Sequence, residues 1–362
     1  MTNIQLRLYM ESTWLTALEI PYDDLALFSR KPRKWLDYLG HALTGTDGIL
    51  SLSEEKDDVC DLDLPVAPGE SDYFHAIGDA AYIDPDVLTM ASTHSSQLRD
   101  TDLLANIQAC DGGYCIYTGI SNPDAAHIIP RAKGNDYIRT LTTRRRDSKG
   151  EQVVIEDIED LRNVLPLNAI IYKELKLGSI AFLKTPVRSL KSVDVSDDAP
   201  GAGADPDGYR LTLHAFTRHA ATRKFCAHGV GARLSAPPAD TELDNRPPEV
   251  ILTALYAGAA IEFWGTKTLR TALRNATREY YYPGGVDGKD ADSDDSDGET
   301  KRKKDARIQR QTRARTDRWE RRAGNAADGL GLAMALSSHY AQRQVRHTTG
   351  EKVEEWLKGN EH

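Results

Sequence analysis

Cysteine is scarce in this chain. The four present, Cys60, Cys110, Cys115 and Cys226, are far apart and form no Cys-x-x-Cys pair. That argues against a zinc ribbon and against a disulfide framework, and it favours a reducing compartment. A run of about 18 apolar residues, as a membrane-spanning helix needs, is also missing. So is the basic-then-apolar start of a secretory signal. The expectation is a soluble intracellular protein without a membrane partner. No internal repeat is visible. A surplus of positive charge is lacking as well. The net charge is −9, which disfavours nucleic-acid binding by the chain as a whole, although charge distribution matters more than the total.

What is present is enough for a folded protein. The chain has 362 residues, of which 40% are hydrophobic and 28% charged, leaving room for two or three domains with a sizeable core. Ile4 to Tyr9 alternates apolar and polar, the pattern of a strand. The apolar run from Leu25 to Leu43 is broken by Pro32, so a helix is expected to begin near that proline. Residues 52–72 are acidic, with Pro and Gly, and read as a loop. A helix is expected over 98–109, with a turn after it at Asp111-Gly112-Gly113. His94 in the cluster 92–96 is more simply a surface or cap histidine than a ligand. Beyond a Ser/Asp/Gly/Pro linker at 187–208, Tyr209 to Phe216 reads as a strand. His214, His219, Cys226 and His228 fall close together, but their spacing matches no common zinc pattern. Pro247-Pro248 precedes a helix with Val250, Ile251, Leu255, Tyr256, Ala259 and Phe263 on its apolar face. A second helix follows from Gly265. Residues 286–300 are acidic and of low complexity, too polar to build a core. The basic run at 301–304 follows, suiting nuclear import, a nucleic-acid contact, or simple pairing with the acidic run.

The most informative stretch is Cys115 to Pro186. Cys115 to Thr118 is short and β-prone, and Gly119 ends it with a turn. Ala125 to Ile129 reads as a second strand carrying His127, stopped by Pro130. Arg131 to Glu156 reads as a polar loop in which Arg131, Lys133, Arg144, Arg145 and Arg146 form a basic set. Those side chains suit phosphate contact, and equally a solvated loop. Acidic residues 157–160 then open a new element, with Asn163 where a helix begins and Ala169 to Leu177 helical. Asn163 is also a natural helix-capping residue. Cys115 is better read as a small buried side chain than as a nucleophile.

The strings Cys-x-x-Thr-Gly at 115–119, Ala-His-Ile-Ile-Pro at 126–130, Arg-Asn-x-Leu at 162–165 and Phe-Leu-Lys-Thr-Pro at 182–186 resemble the HNH endonuclease family, in the form common in fungal proteins. The resemblance implies an α+β fold: a ββα-metal core at 106–190, flanked by an N-terminal α/β region at 1–105 and a mainly helical region at 191–285. An acidic-then-basic segment at 286–325 and a helical tail at 326–362 complete the chain. It also implies His127 as general base and Asn163 as a residue that orients the base or holds a metal. The last metal-ligating histidine of the family corresponds to Tyr172 here, a departure from the pattern. Lys176, on the same helix, would oppose a bound cation, and Asp124 is a candidate substitute carboxylate. The implied cofactor is a divalent metal, Mg²⁺ first, with Mn²⁺ or Zn²⁺ as alternatives. The implied partner is DNA, in the nucleus or cytoplasm.

Chemically, phosphodiester hydrolysis needs a base for water, charge stabilisation at the phosphate and help for the leaving oxygen. Neutral imidazole titrates in the right range for the first, and a divalent ion can supply the rest. A neutral phenol is a poor ligand for such an ion near pH 7. Three functions therefore stand side by side: a metal-dependent endonuclease, a lapsed nuclease core serving as a nucleic-acid-binding or interaction module, and the same fold recruited to non-nucleic chemistry.

Overall fold

The computed structural model describes residues 2–89, 113–195, 210–217, 231–233 and 246–283. His94, His219, Cys226, His228, the helix expected over 98–109, the acidic-then-basic segment and the C-terminal tail lie outside the described residues.

The chain opens with a hairpin. β1 (Asn3–Met10) buries Ile4, Leu6, Leu8 and Met10 on alternate positions, the period of a half-covered strand. Glu11 and Ser12 both take positive φ (50° and 66°), and β2 (Thr13–Pro21) returns antiparallel. Two positive-φ residues are what a tight hairpin turn matched to strand twist requires. α1 (Tyr22–Phe28) and α2 (Pro32–Thr44) follow. α2 starts on its proline and stops at Gly45, which adopts φ 67°. β3 (Gly48–Ser51) and β4 (Ser71–Ala76) complete a four-stranded sheet in the order β2-β1-β4-β3, with β1 and β4 parallel. α2 lies on this sheet so closely that a Cβ at Gly40 would collide with the Phe74 ring.

The middle of the chain departs from expectation in its pairing. Cys115 to Thr118 is not a strand. It is a turn, closed by Cys115 N–H to Ile120 O (2.9 Å) and Gly119 N–H to Cys115 O (2.8 Å), with Gly119 at φ 64°. β5 (Asp124–His127) pairs instead with β6 (Val164–Leu167), antiparallel, with His127 opposite Val164. The segment between them is no loop. A 3₁₀ turn (Arg131–Lys133) leads into α3 (Gly134–Arg144), which buries Tyr137, Ile138, Leu141 and Thr142. α4 (Ala169–Lys176) follows β6, capped by Asn168, whose Oδ1 accepts from Ile170 N–H and Ile171 N–H. Asn168 therefore does the capping, and Asn163 is released for another role.

β7 (Ile180–Thr185), β8 (Arg210–Ala215) and β9 (Gly231–Arg233) form a three-stranded antiparallel sheet. α5 (Glu249–Trp264) is apolar all round and buried along almost its whole length, as befits a central helix. α6 (Lys267–Tyr281) covers one side, capped by Thr266 Oγ1. Tyr256 on α5 ties distant elements together: its hydroxyl accepts from Trp35 Nε1 (2.8 Å) and bonds His214 Nδ1 (2.7 Å). Phe28, Trp35, Phe216 and Trp264 pack around them. Met1–Gly285 forms one unit, whose described residues share one main hydrophobic core beside a small separate cluster of Val164, Ala125 and Leu161. The regions at 1–105, 106–190 and 191–285 all contribute to the main core. The fold is α+β, and β5, β6 and α4 make its ββα element.

Candidate active site

The β5–β6 ladder ends at His127, and the chain beyond it is held by one buried side chain. Asn163 is wholly inaccessible to solvent. Its Oδ1 accepts from Ile129 N–H (2.9 Å), and its Nδ2 donates to Ile129 O (3.1 Å) and Ile158 O (2.9 Å). Its own carbonyl accepts from Ile128 N–H (2.8 Å). Both hydrogens of the carboxamide are therefore engaged, and its oxygen faces a backbone donor rather than the surface. Asn163 is a clamp. It fixes the two residues after His127 to the turn before β6 and brings the 157–160 segment alongside them.

That segment supplies Glu159. Its Oε2 lies 3.1 Å from His127 Nε2, and its Oε1 accepts from Arg131 Nε. The carboxylate thus joins the imidazole to the guanidinium four residues on. His127 keeps only 8% of its side-chain surface open. Burial holds its pKa below the ordinary histidine value, Glu159 pulls the other way, and Arg131 and Lys176 add to the lowering. The ring is accordingly neutral around pH 7. A carboxylate on Nε2 selects the tautomer with hydrogen there and leaves the lone pair on Nδ1. Nδ1 makes no hydrogen bond among the described residues and is not one of the sealed, partnerless atoms.

The remaining expected residues scatter. Tyr172 is half-buried on α4, with Lys176 Nζ 3.8 Å from its ring centroid. Asp124 is exposed at the far end of β5, opposite Leu167. An offset of three residues on a strand puts it on the other face from His127. The basic set divides. Arg145 is buried and donates to Ala81 O and Ala42 O (both 2.6 Å), so it braces the interior and cannot reach a phosphate. Lys133 lies 3.3 Å from Asp84, donates to the Tyr282 hydroxyl (2.6 Å) and sits near the Tyr137 ring. It too is an interior brace. Arg144 is exposed and stacks on Tyr280 at 3.5 Å, Arg146 is exposed and donates to Gly150 O (3.1 Å), and Arg131 stays beside His127. His214 belongs to the core through Tyr256.

Residues 115–182 match the family model described as HNH endonuclease. The chain carries an HNH-family domain. Comparison with curated proteins and with solved structures finds no match. The domain gives the chain nuclease-type character, and nucleic acid is the substrate class that goes with it. Among the described residues, no helix is long and apolar enough to cross a membrane.

The HNH family implies a divalent metal, and the donors here do not fit one. Asn163 Oδ1 is buried against a backbone N–H. Tyr172 offers a phenol beneath the Lys176 ammonium, and Asp124 is on the wrong face. Among the described residues, no three His, Cys, Asp or Glu side chains converge as a cation site. Glu159 is the residue that sequence reasoning missed. Its acidity was visible in 157–160, but its partner is 32 residues away and no periodicity links the two.

Proposed function

We propose that the HNH domain hydrolyses phosphodiester bonds in DNA, with His127 as general base. The observation that carries this reading is the Glu159–His127 pair: a neutral imidazole, tautomer fixed through Nε2, with Nδ1 left as acceptor. Water would lose a proton to Nδ1 as its oxygen attacks phosphorus. The P–O bond to the leaving oxygen breaks, that oxygen departs with the bonding pair, and it takes a proton from solvent. His127 then returns its proton to solvent. Base catalysis of this kind contributes about 10²–10⁴-fold. Asn163 is a positioning residue, holding the two residues after the base against the turn before β6.

One observation favours a second reading, a DNA-binding module that no longer cleaves: Tyr172 stands where the resemblance puts a metal ligand, and the Lys176 ammonium lies over its ring. Incubation of supercoiled DNA with the full chain, with and without added Mg²⁺, separates the two. Nicking by the wild type that disappears in His127→Ala supports the hydrolase. Binding that weakens steeply with salt, with no nicking under either condition, overturns it in favour of the module.

A further inference from the structure

The mismatch between the expected metal ligands and the residues present leads to one further reading, which rests on the hydrolytic function above. Lys176 ends α4, and α4 packs against the strand that carries His127. One turn earlier on the same helix is Tyr172, the position of the absent metal-ligating histidine, and the Lys176 ammonium sits 3.8 Å over its ring. Lys176 is exposed; among the described residues its ammonium has no hydrogen bond or ion pair, only that ring and a longer-range repulsion with His127. The carboxylate nearest the base, Glu159, is already shared by His127 and Arg131. The ammonium therefore keeps three N–H donors for an external anion. A stacked tyrosine restrains a lysine without neutralising it.

We propose that Lys176 takes the place of the divalent ion: its ammonium binds a non-bridging oxygen of the scissile phosphate, and hydrolysis proceeds without a metal. A compact ammonium forms charge-assisted hydrogen bonds to phosphate. It offsets the negative charge that grows on those oxygens as water adds. The proton still goes to His127 and the leaving oxygen is still protonated by solvent, so the step balances with water as the only co-reactant. Arg131, whose guanidinium shares Glu159 with the base, is a second positive group beside it.

Three measurements on the full chain test this. Paramagnetic resonance of Mn²⁺ titrated into the protein should show only free ion, whereas one tightly held ion per chain would overturn the proposal. Cleavage of supercoiled DNA should run equally fast in EDTA and in Mg²⁺. It should fall about 10²-fold in Lys176→Ala, as for loss of one transition-state donor, and partly recover in Lys176→Arg. Cleavage abolished by EDTA and restored by Mg²⁺ would refute it. If no condition yields cleavage, the hydrolytic reading fails by itself. The lysine is then judged by DNA affinity: weaker binding in Lys176→Ala keeps it at the phosphate, and unchanged binding removes it.

Discussion

Two lysines stacked on tyrosines show how differently one residue type is used at two places in the molecule. Lys133 lies near the Tyr137 and Tyr282 rings at 4.8 and 5.3 Å, almost buried, with the Asp84 carboxylate 3.3 Å away. That carboxylate also accepts from the Tyr137 and Tyr282 hydroxyls, at 2.9 and 2.7 Å. Burial lowers the pKa of Lys133, with Asp84 opposing, and pushes both phenols well above their ordinary value. Lys176 has its ring and solvent, with no carboxylate paired to it among the described residues. The first lysine knots the 84–86 segment, the start of α3 and the end of α6 together. The second carries a charge that the fold does not consume. Sequence treats the two alike, and their partners make one structural and leave the other open to a ligand.

The largest expected effect is on chemistry. His127→Ala should reduce DNA cleavage by about 10²–10⁴-fold with the melting temperature little changed, measured by nicking and by calorimetry. Next comes the buried node. Asp84→Ala strands Lys133 and two hydroxyls without their acceptor and should cost about 3–5 kcal/mol in urea unfolding. Lys176→Met should alter stability by no more than about 1 kcal/mol, and comparable losses from both would erase the distinction drawn here. Asn163→Ala leaves Ile129 N–H and the carbonyls of Ile129 and Ile158 without partners, so a loss of at least about 2 kcal/mol is expected. Activity should fall with it as the base loses its register.

The smallest effect is on pH. The folded-state pKa of His127 lies below its unfolded value, so below pH about 6.5 the unfolded chain binds more protons at this site than the native one. Stability from this group therefore declines as pH falls through that window. The acid limb of the activity profile should lie below the usual imidazole range for the same reason. Glu159→Gln removes the charge that raises this pKa, so the limb should move to lower pH still. A move to higher pH would exclude the assigned role of Glu159.

Where a residue's task is set by its near neighbours in sequence, the sequence told it well. The alternation of Ile4 to Tyr9, the helix started by Pro32, the apolar helix after Pro248 and the helical reading of 169–177 all correspond to observed elements. His127 stood out because its flanking strings resemble a family pattern. Position in space was hidden wherever the partner was remote or was backbone. Asn163 looked like a ligand or a cap because its actual partners are backbone groups of Ile129 and Ile158, which carry no side-chain signature. α3 was concealed by its polar surface, although Tyr137, Ile138, Leu141 and Thr142 have helical spacing. Charge alone does not distinguish the buried Arg145 and Lys133 from the surface cations near them in sequence. The carbonyl of Ala42, which accepts from Arg145, is 103 residues away.

The proposed chemistry depends on which nitrogen of His127 carries hydrogen, and ¹⁵N NMR of the histidine side chains at neutral pH reads this directly. The expected spectrum has a neutral ring protonated at Nε2 and bare at Nδ1, with loss of that tautomer preference in Glu159→Ala. A ring protonated at Nδ1, or an imidazolium at neutral pH, would contradict the general-base role.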